Sequence, residues 1–377
     1  LPVKHLHVRG YRSLRDFHID LDRVNVIVGP NGCGKTNLYR SLFLLYSAAN
    51  GQFARDLANE GGMPSILWAG RLSKDEEPRF FVEVSFDELS YSLECGRIPI
   101  SERIDLTCFA NDPDIKEEKV EITFAGRKSE LMKRVGGLVS ARSMDGRKVE
   151  YPMSVTSGES ILSGLREPHL FPELSSMRQE FLNWRFYHKF RTDAESPLRR
   201  PQISVLTPVM AHDGSDVAAA IATIAGTGDK AEFDRLLRLA FPGSSVSVTL
   251  REDLLSLKMR MPGYNRSFEA VELSDGTMQY LCLLAALLTP RPPTLMALNE
   301  PENSIHPDLF DPLAQTIAHC SKTTQLMVMT HSQELGRLLG KYSNANPIEL
   351  IKVSGETRVV GSEHEADIED EADTDDE

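Results

Sequence analysis

The chain has 377 residues, which allows two or three domains or one large α/β domain with an insertion. Apolar residues make up 41% and charged residues 26%, excluding a wholly disordered, collagen-like or disulfide-scaffold protein, and the apolar run near Leu281 to Leu288 is far short of the roughly 20 residues that cross a bilayer. The formal charge of −13 is unevenly placed: Glu363 to Glu377 holds ten acidic residues and no Lys or Arg, so the remainder carries only −3.

Leu1-Pro2-Val3-Lys4-His5 opens without the long apolar stretch of a secretory signal, so a cytoplasmic protein with no membrane partner is expected. Five cysteines (Cys33, Cys95, Cys108, Cys282, Cys320) are odd in number and never spaced C-x-x-C, which argues against both a disulfide framework and a zinc site and predicts reduced thiols.

Val3, Leu6 and Val8 mark a first strand, Phe17, Ile19 and Leu21 a second, and Val24-Asn25-Val26-Ile27-Val28 a short run of the kind buried on both sheet faces. A Gly-rich turn follows, then Leu38, Leu42, Leu45 and Tyr46 at helical spacing. Arg79 to Phe86, Arg103 to Phe109 and Lys119 to Phe124 alternate like strands, whereas Asp216 to Ala225 and Glu232 to Leu239 read as helices. Beyond Leu273 the order is helix (Thr277 to Leu288), strand (Thr294 to Leu298), helix after Pro307, strand (Gln325 to Met329) and helix (Ser332 to Leu339). Such alternation predicts parallel strands covered by helices.

Gly29-Pro30-Asn31-Gly32-Cys33-Gly34-Lys35-Thr36 fits G-x-x-x-x-G-K-[ST] in full, between a strand and a helix, as a phosphate-binding loop requires. Its glycines let backbone N–H groups converge on phosphate, Lys35 reaches the β- and γ-phosphates, and the Thr36 hydroxyl can ligate Mg²⁺. Asn31, Gly32, Cys33, Gly34, Lys35, Thr36 and Asn37 are therefore the expected nucleotide-binding residues, with Mg²⁺ at Thr36, and the loop alone says only that a nucleotide is bound.

Three later segments narrow the class. Leu273-Ser274-Asp275-Gly276-Thr277 opens a helix, Leu295-Met296-Ala297-Leu298-Asn299-Glu300-Pro301 ends a strand in an acid, and Thr330-His331-Ser332 ends the next strand in a histidine. Taken singly, the first is an ordinary helix cap and the last a surface or packed histidine. In this order and spacing they resemble the nucleotide-binding heads of ABC-type ATPases, in the SMC and RecF-like branch, over nearly the whole chain.

The resemblance implies an α/β fold: a P-loop NTPase of the ABC-type ATPase head, with a mixed sheet and a β/α insertion between the Walker A loop and the signature motif. It implies an ATP hydrolase that forms a head-to-tail homodimer around ATP, with Ser274 and Gly276 acting in trans on the partner's phosphate. Glu300 would be the general base, His331 the switch histidine, and Arg12 and Ser13 would lie beside the nucleotide through the segment Tyr11-Arg12-Ser13. Where the branch carries Asp-Glu this chain has Asn299-Glu300, so Asn299 can reach Mg²⁺ only through a water. No Q-loop glutamine stands out among Gln52, Gln179 and Gln202.

On this reading residues 1–50 are the N-terminal part of the head, 51–165 a β-rich lobe, 166–272 a helical and β insertion lobe, 273–360 the C-terminal part of the head, and 361–377 a disordered acidic tail. The chain lacks the heptads of an SMC rod, and the 46 residues after His331 are too few for an appended Toprim nuclease, so compact stand-alone RecF-like ATPases are nearest in outline. Trp184, Arg185, Phe186, Tyr187, His188, Lys189, Arg191, Arg199 and Arg200 mix cations and aromatics, either as a nucleic-acid surface or as a core strand with basic edges. Arg127, Lys128, Lys133, Arg134, Arg142, Arg147 and Lys148 carry the same ambiguity. Two roles stay open: an ATPase that clamps DNA in repair or phage defence, and a slow ATP switch that recruits or restrains an effector protein without touching DNA.

Overall fold

A computed structural model describes residues 1–72, 74, 76–98, 107–109, 111–151, 156–164 and 166–361. The chain divides into two compact units, one made of Leu1–Asp22, Gly29–Trp184 and the described residues from Glu349 onward, the other of Arg23–Val28 and Arg185–Ile348.

The first unit is built on an antiparallel sheet of eight strands among the described residues. Their order is Leu14–Asp20, His5–Tyr11, Arg79–Ser85, Leu89–Arg97, Pro113–Phe124, Arg127–Val135, Leu138–Arg142, Lys148–Tyr151. Alternation sets its faces: Leu6, Val8, Phe17, Phe80, Val82 and Val84 are buried, and the residues between them turn outward. The helix Lys35–Asn50 buries Leu38, Leu42 and Leu45 and stops at Gly51, whose left-handed φ of 76° lets its N–H return to the Ala48 carbonyl.

Arg134 does not belong with the solvated cations around it. It is fully buried, donates to the carbonyls of Gly136 (2.8 Å) and Thr156 (3.2 Å), and lies 3.8 Å from Glu118, which is fully buried as well. Glu118 accepts from the Tyr91 hydroxyl (2.8 Å), the Ser160 hydroxyl (2.5 Å) and the Ile161 N–H (3.0 Å), so the pair is hydrogen-bonded on both sides. The strand expected over Arg103 to Phe109 falls largely outside the described residues. Its described end, Thr107–Phe109, is a 3-10 turn, after which the Asp112 N–H donates to the Phe109 carbonyl.

The second unit holds a parallel sheet in the order Arg185–Tyr187, Leu295–Asn299, Gln325–Thr330, Val24–Val28. The last three strands are buried along their whole length, which is why they read as continuous apolar runs rather than alternating ones. The helices Asp275–Leu287, Phe310–Cys320 and Gln333–Ser343 pack on this core, and Val217–Thr227 and Lys230–Ala240 pack with the antiparallel strands Ser245–Arg251 and Leu254–Arg260. The aromatic residues Trp184, Phe186, Tyr187 and Phe190 are all buried, so that segment is the core strand with basic edges. Arg199 is also buried, at 6% exposure, and is no surface cation.

Candidate active site

In the first unit the loop after Val28 has the backbone that a phosphate cradle needs. Gly32 and Gly34 take φ of 80° and 113°, a region only glycine enters freely. A side chain at Gly34 would also meet the Thr357 hydroxyl at 2.0 Å, whereas at Gly32 it would meet nothing within 4 Å. Gly34 is thus fixed by space and conformation, Gly32 by conformation alone. Lys35, 3% exposed, donates from Nζ to the carbonyls of Gly29 (2.7 Å) and Pro30 (3.0 Å). Its third contact is a long one to Cys33 Sγ at 3.9 Å, a weak sulfur acceptor that an incoming phosphate oxygen would displace. Asn31 and Gly32 are exposed, Thr36 and Asn37 half-buried, and Cys33 is a buried free thiol.

Behind this loop lies a network whose central member was not singled out in the sequence. Thr357 donates its hydroxyl to the Cys33 carbonyl (2.7 Å), pairs with the Ser13 hydroxyl (2.7 Å), and gives its N–H to the Ser13 carbonyl (2.8 Å). Asn37 Nδ2 donates to Ser13 Oγ at 2.7 Å. Ser13 and Asn37 therefore brace the loop from its buried side. Arg12 has a φ of 50° and donates to Glu60 at 2.8 Å; the same carboxylate accepts from the Tyr11 hydroxyl (3.0 Å) and pairs with Arg40 (2.7 Å). Glu60 is thus a second residue that sequence reasoning passed over.

In the second unit two neighbouring strands end side by side, and the chain after the first is held on the second. The Glu300 N–H donates to the Met329 carbonyl (2.8 Å), Glu300 has a φ of 52° and Ser304 one of 65°. Left-handed non-glycine residues cost energy and collect at functional turns. The Glu300 side chain is half-buried, with Oε2 accepting from Asn303 Nδ2 at 2.8 Å. Asn299, 1% exposed, has Nδ2 2.5 Å from His188 Nδ1, while its Oδ1 is buried without a hydrogen-bond partner.

Glu302, also missed in the sequence, organises the rest. It is 4% exposed, and its Oε1 accepts from the Thr330 hydroxyl (2.5 Å) and the His331 N–H (3.0 Å) and lies 3.2 Å from His331 Nδ1. One carboxylate oxygen thereby fixes backbone and imidazole of the expected switch histidine, whose side chain is 41% exposed. The available signal was a second acid two places after Glu300, with a proline between them.

The turn before the helix Asp275–Leu287 is braced by Arg199. Its guanidinium donates to the carbonyls of Ala270 (2.7 Å), Leu273 (2.6 Å) and Thr192 (2.9 Å) and to Asp275 Oδ1 (2.6 Å). Ser274 is exposed and caps the helix, accepting from the Thr277 N–H at 3.2 Å. A side chain at Gly276 would meet the Ser304 carbonyl at 2.6 Å, so this glycine lets the helix start approach the turn after Glu300. These are relations within one chain and are compatible with either use of the exposed hydroxyl.

The residues fit the ligands the loop implies. The glycine conformations and buried ammonium suit a phosphate chain. An orphaned buried amide oxygen at Asn299 suits a hydrogen bond from water on a hard cation, which takes oxygen ligands.

Two family models match the chain: "AAA ATPase domain" over residues 2–136 and "AAA domain, putative AbiEii toxin, Type IV TA system" over residues 159–335. A chromosome partition protein Smc from Halobacteriovorax marinus is 36% identical over 73 residues, 19% of this chain; the chain spans only 6% of that relative's length. Among solved structures, an SMC head bound to the C-terminal winged-helix domain of ScpA covers 97% of this chain and 100% of its own, at a TM-score of 0.53 and 15% identity. The Pyrococcus furiosus SMC head, with an extended coiled coil and bound to the C-terminal domain of ScpA, covers 99% of both chains at 0.51 and 14%. The chain thus has the fold of a P-loop, ABC-type ATPase head, similar to that of the SMC heads, and two AAA ATPase family models match parts of it.

Proposed function

We propose that the protein binds ATP at Gly29 to Asn37 and hydrolyses it to ADP and phosphate as a head-to-tail homodimer, in DNA maintenance or phage defence. The observation that carries this reading is the phosphate loop, with its left-handed glycines and an almost buried Lys35 ammonium held on the loop's own carbonyls. Mg²⁺, when bound, would neutralise charge on the phosphates. Thr36 would supply an oxygen ligand to it and Asn299 would accept from one of its waters. Glu300 is the proposed base that polarises the attacking water, and His331, held by Glu302, the residue that senses the terminal phosphate. Ser274 and Gly276 are the proposed trans contacts, with Arg199 holding their turn in place.

A second reading, the slow switch acting on an effector protein, is favoured by one feature. Trp184, Phe186 and Tyr187 are buried and offer no platform on which bases could stack. The matched family description naming a toxin of a type IV toxin–antitoxin system, and the ScpA-bound SMC heads, support a protein partner as well.

The deciding experiment measures the mass of the Glu300→Gln protein with ATP and Mg²⁺, with and without duplex DNA. The expected result is an ATP-dependent dimer with hydrolysis reduced by at least about 100-fold, as for loss of a general base. Unchanged hydrolysis would assign the base elsewhere, and a monomer with bound ATP would remove the dimer. Salt-sensitive DNA binding would select the first role and its absence the second.

A further inference from the structure

The outward face of the first hairpin has no part in the proposed ATP chemistry. Strands His5–Tyr11 and Leu14–Asp20 pair antiparallel with His7 opposite His18, His5 opposite Asp20 and Arg9 opposite Asp16. Side chains alternate across a strand, so Leu6, Val8, Phe17 and Ile19 enter the core while His5, His7, Asp16, His18 and Asp20 leave by the same face. Three imidazoles and two carboxylates share that patch. The ion-pair geometry of Arg9 is toward Glu94 (3.5 Å), on another strand.

Three ligand atoms, one each from His7, Asp16 and His18, lie within 4.8 Å of one another. His7 Nε2 is 2.7 Å and His18 Nε2 3.3 Å from the same Asp16 oxygen, and the two rings stack at 3.8 Å. Ligands at about 2.0–2.1 Å from a tetrahedral metal are about 3.3 Å apart, so the three atoms are near coordination spacing, and rotating the two stacked rings out of parallel about their side-chain torsions would aim both lone pairs at one ion.

Behind them is a relay. His5 Nδ1 lies 2.8 Å from Asp20 Oδ1, and since a carboxylate only accepts, that nitrogen carries a proton. If His5 is neutral, its Nε2 is then an acceptor; His18 Nδ1, 3.4 Å away, is the donor to it. The Nε2 of His18 lies 3.3 Å from the carboxylate oxygen that His7 also approaches. A cation at this oxygen, either a metal ion or a proton on His18, would satisfy both groups.

We propose that His7, Asp16 and His18 bind a divalent transition-metal ion of the Zn²⁺ class, with His5 and Asp20 orienting His18 from the second layer. Two imidazoles and a carboxylate suit Zn²⁺ rather than Mg²⁺ or Ca²⁺, and three protein ligands leave one position for water. The relay has the form in which a ligating histidine gives its other N–H to a further acceptor. Such a site clasps the strand at the edge of the sheet to its neighbour.

The test uses the full chain, stripped with chelator and kept free of nucleotide, titrated with Co²⁺ and then Zn²⁺. One equivalent of Co²⁺ should give the visible absorption of a four-coordinate nitrogen and oxygen site, which Zn²⁺ then displaces, and Zn²⁺ should raise Tm. The double variant His7→Ala, His18→Ala should lose these responses, with circular dichroism reporting that the sheet is intact. Asp20→Asn, which touches no metal, should weaken Zn²⁺ binding about 10- to 100-fold. Equal Co²⁺ binding by the folded double variant, or no stoichiometric binding by the wild type, would overturn the site and leave a proton on His18 as the cation. Should the double variant misfold, single His18→Gln keeps a polar outward residue and must still show at least tenfold weaker binding.

Discussion

Asn299 stands at the end of a wholly buried strand with one amide atom against His188 and the other without a partner. An unpaired buried oxygen costs about 1–3 kcal/mol, so its retention at this place points to use by a ligand. Under the proposed function it receives a hydrogen bond from a water on Mg²⁺ while adding no negative charge. Asn299→Asp should therefore lower the Mg²⁺ concentration for half-maximal hydrolysis by about tenfold, the scale of a second-layer change around a metal. The same carboxylate would stand 2.5 Å from His188 Nδ1 and near the base in sequence, so turnover can move either way. An Mg²⁺ titration of ATP hydrolysis decides it: an unchanged midpoint would place Asn299 outside the metal's surroundings.

At the scale of elements, the turn Ala270 to Asp275 depends on one side chain from another segment. Arg199 satisfies two of its carbonyls and the Asp275 carboxylate, and its planar fork makes those contacts together. Arg199→Ala should cost on the order of 3 kcal/mol by leaving buried carbonyls unpaired, and Arg199→Lys should restore little, because a point ammonium cannot span them. Beyond stability, ATP-dependent dimer formation should fall while ATP binding by the monomer persists, since the braced turn carries Ser274 and Gly276. Calorimetry for ATP and mass measurement for the dimer separate the two. Full dimerisation by a folded Arg199→Ala protein would deny the turn its part in the interface.

Which elements were legible follows from the same distinction between local and distant causes. The loop Gly29 to Thr36, the buried strands Val24–Val28, Leu295–Asn299 and Gln325–Thr330, and the helices after them are written in contiguous residues whose period and glycines identify them. Thr357, Glu60, Glu302 and Arg199 are not. Thr357 braces a loop 324 residues away through the Cys33 carbonyl, and Arg199 reaches a carbonyl 74 residues on, so nothing in their neighbourhood announces the role. A cation in a run of aromatics reads as surface until its acceptors are known. The histidines of the first hairpin are not legible for another reason: an odd cysteine count speaks only for cysteine ligands, and period-two alternation marks the core face, not the chemistry of the face opposite it.

For the whole molecule, buried titrating groups fix a window of stability. His212, between Phe186 and Tyr187, is pushed from its ordinary 6.5 to about 4, first by burial and then by the charge of Arg185. From about 6.5 down to about 4 the unfolded chain therefore binds the proton more readily than the folded one, so its contribution is complete above 6.5 and is lost as pH falls. Asp216, whose carboxyl burial raises, works the other way: its folded form holds a proton longer, which offsets part of the loss near the acid end. On the alkaline side burial raises Cys320 and Tyr280 to about 12 and lifts Cys95, Cys282, Tyr11 and Tyr91 as well. Raised groups contribute stability below their unfolded values, 9.0 for thiols and 10.0 for phenols, and lose it as pH climbs beyond them. Stability should thus be flat from about pH 6.5 to 9 and fall on both sides, with His212 accounting for roughly 2 kcal/mol of the acid limb after allowance for its partial exposure. His212→Phe keeps an aromatic ring against Phe186 and Tyr187 and carries no proton, so urea unfolding followed from pH 7 to 4 should show a shallower fall by about that amount. An acid limb of the same depth in this variant would mean that other groups, and not His212, set the lower edge of the window.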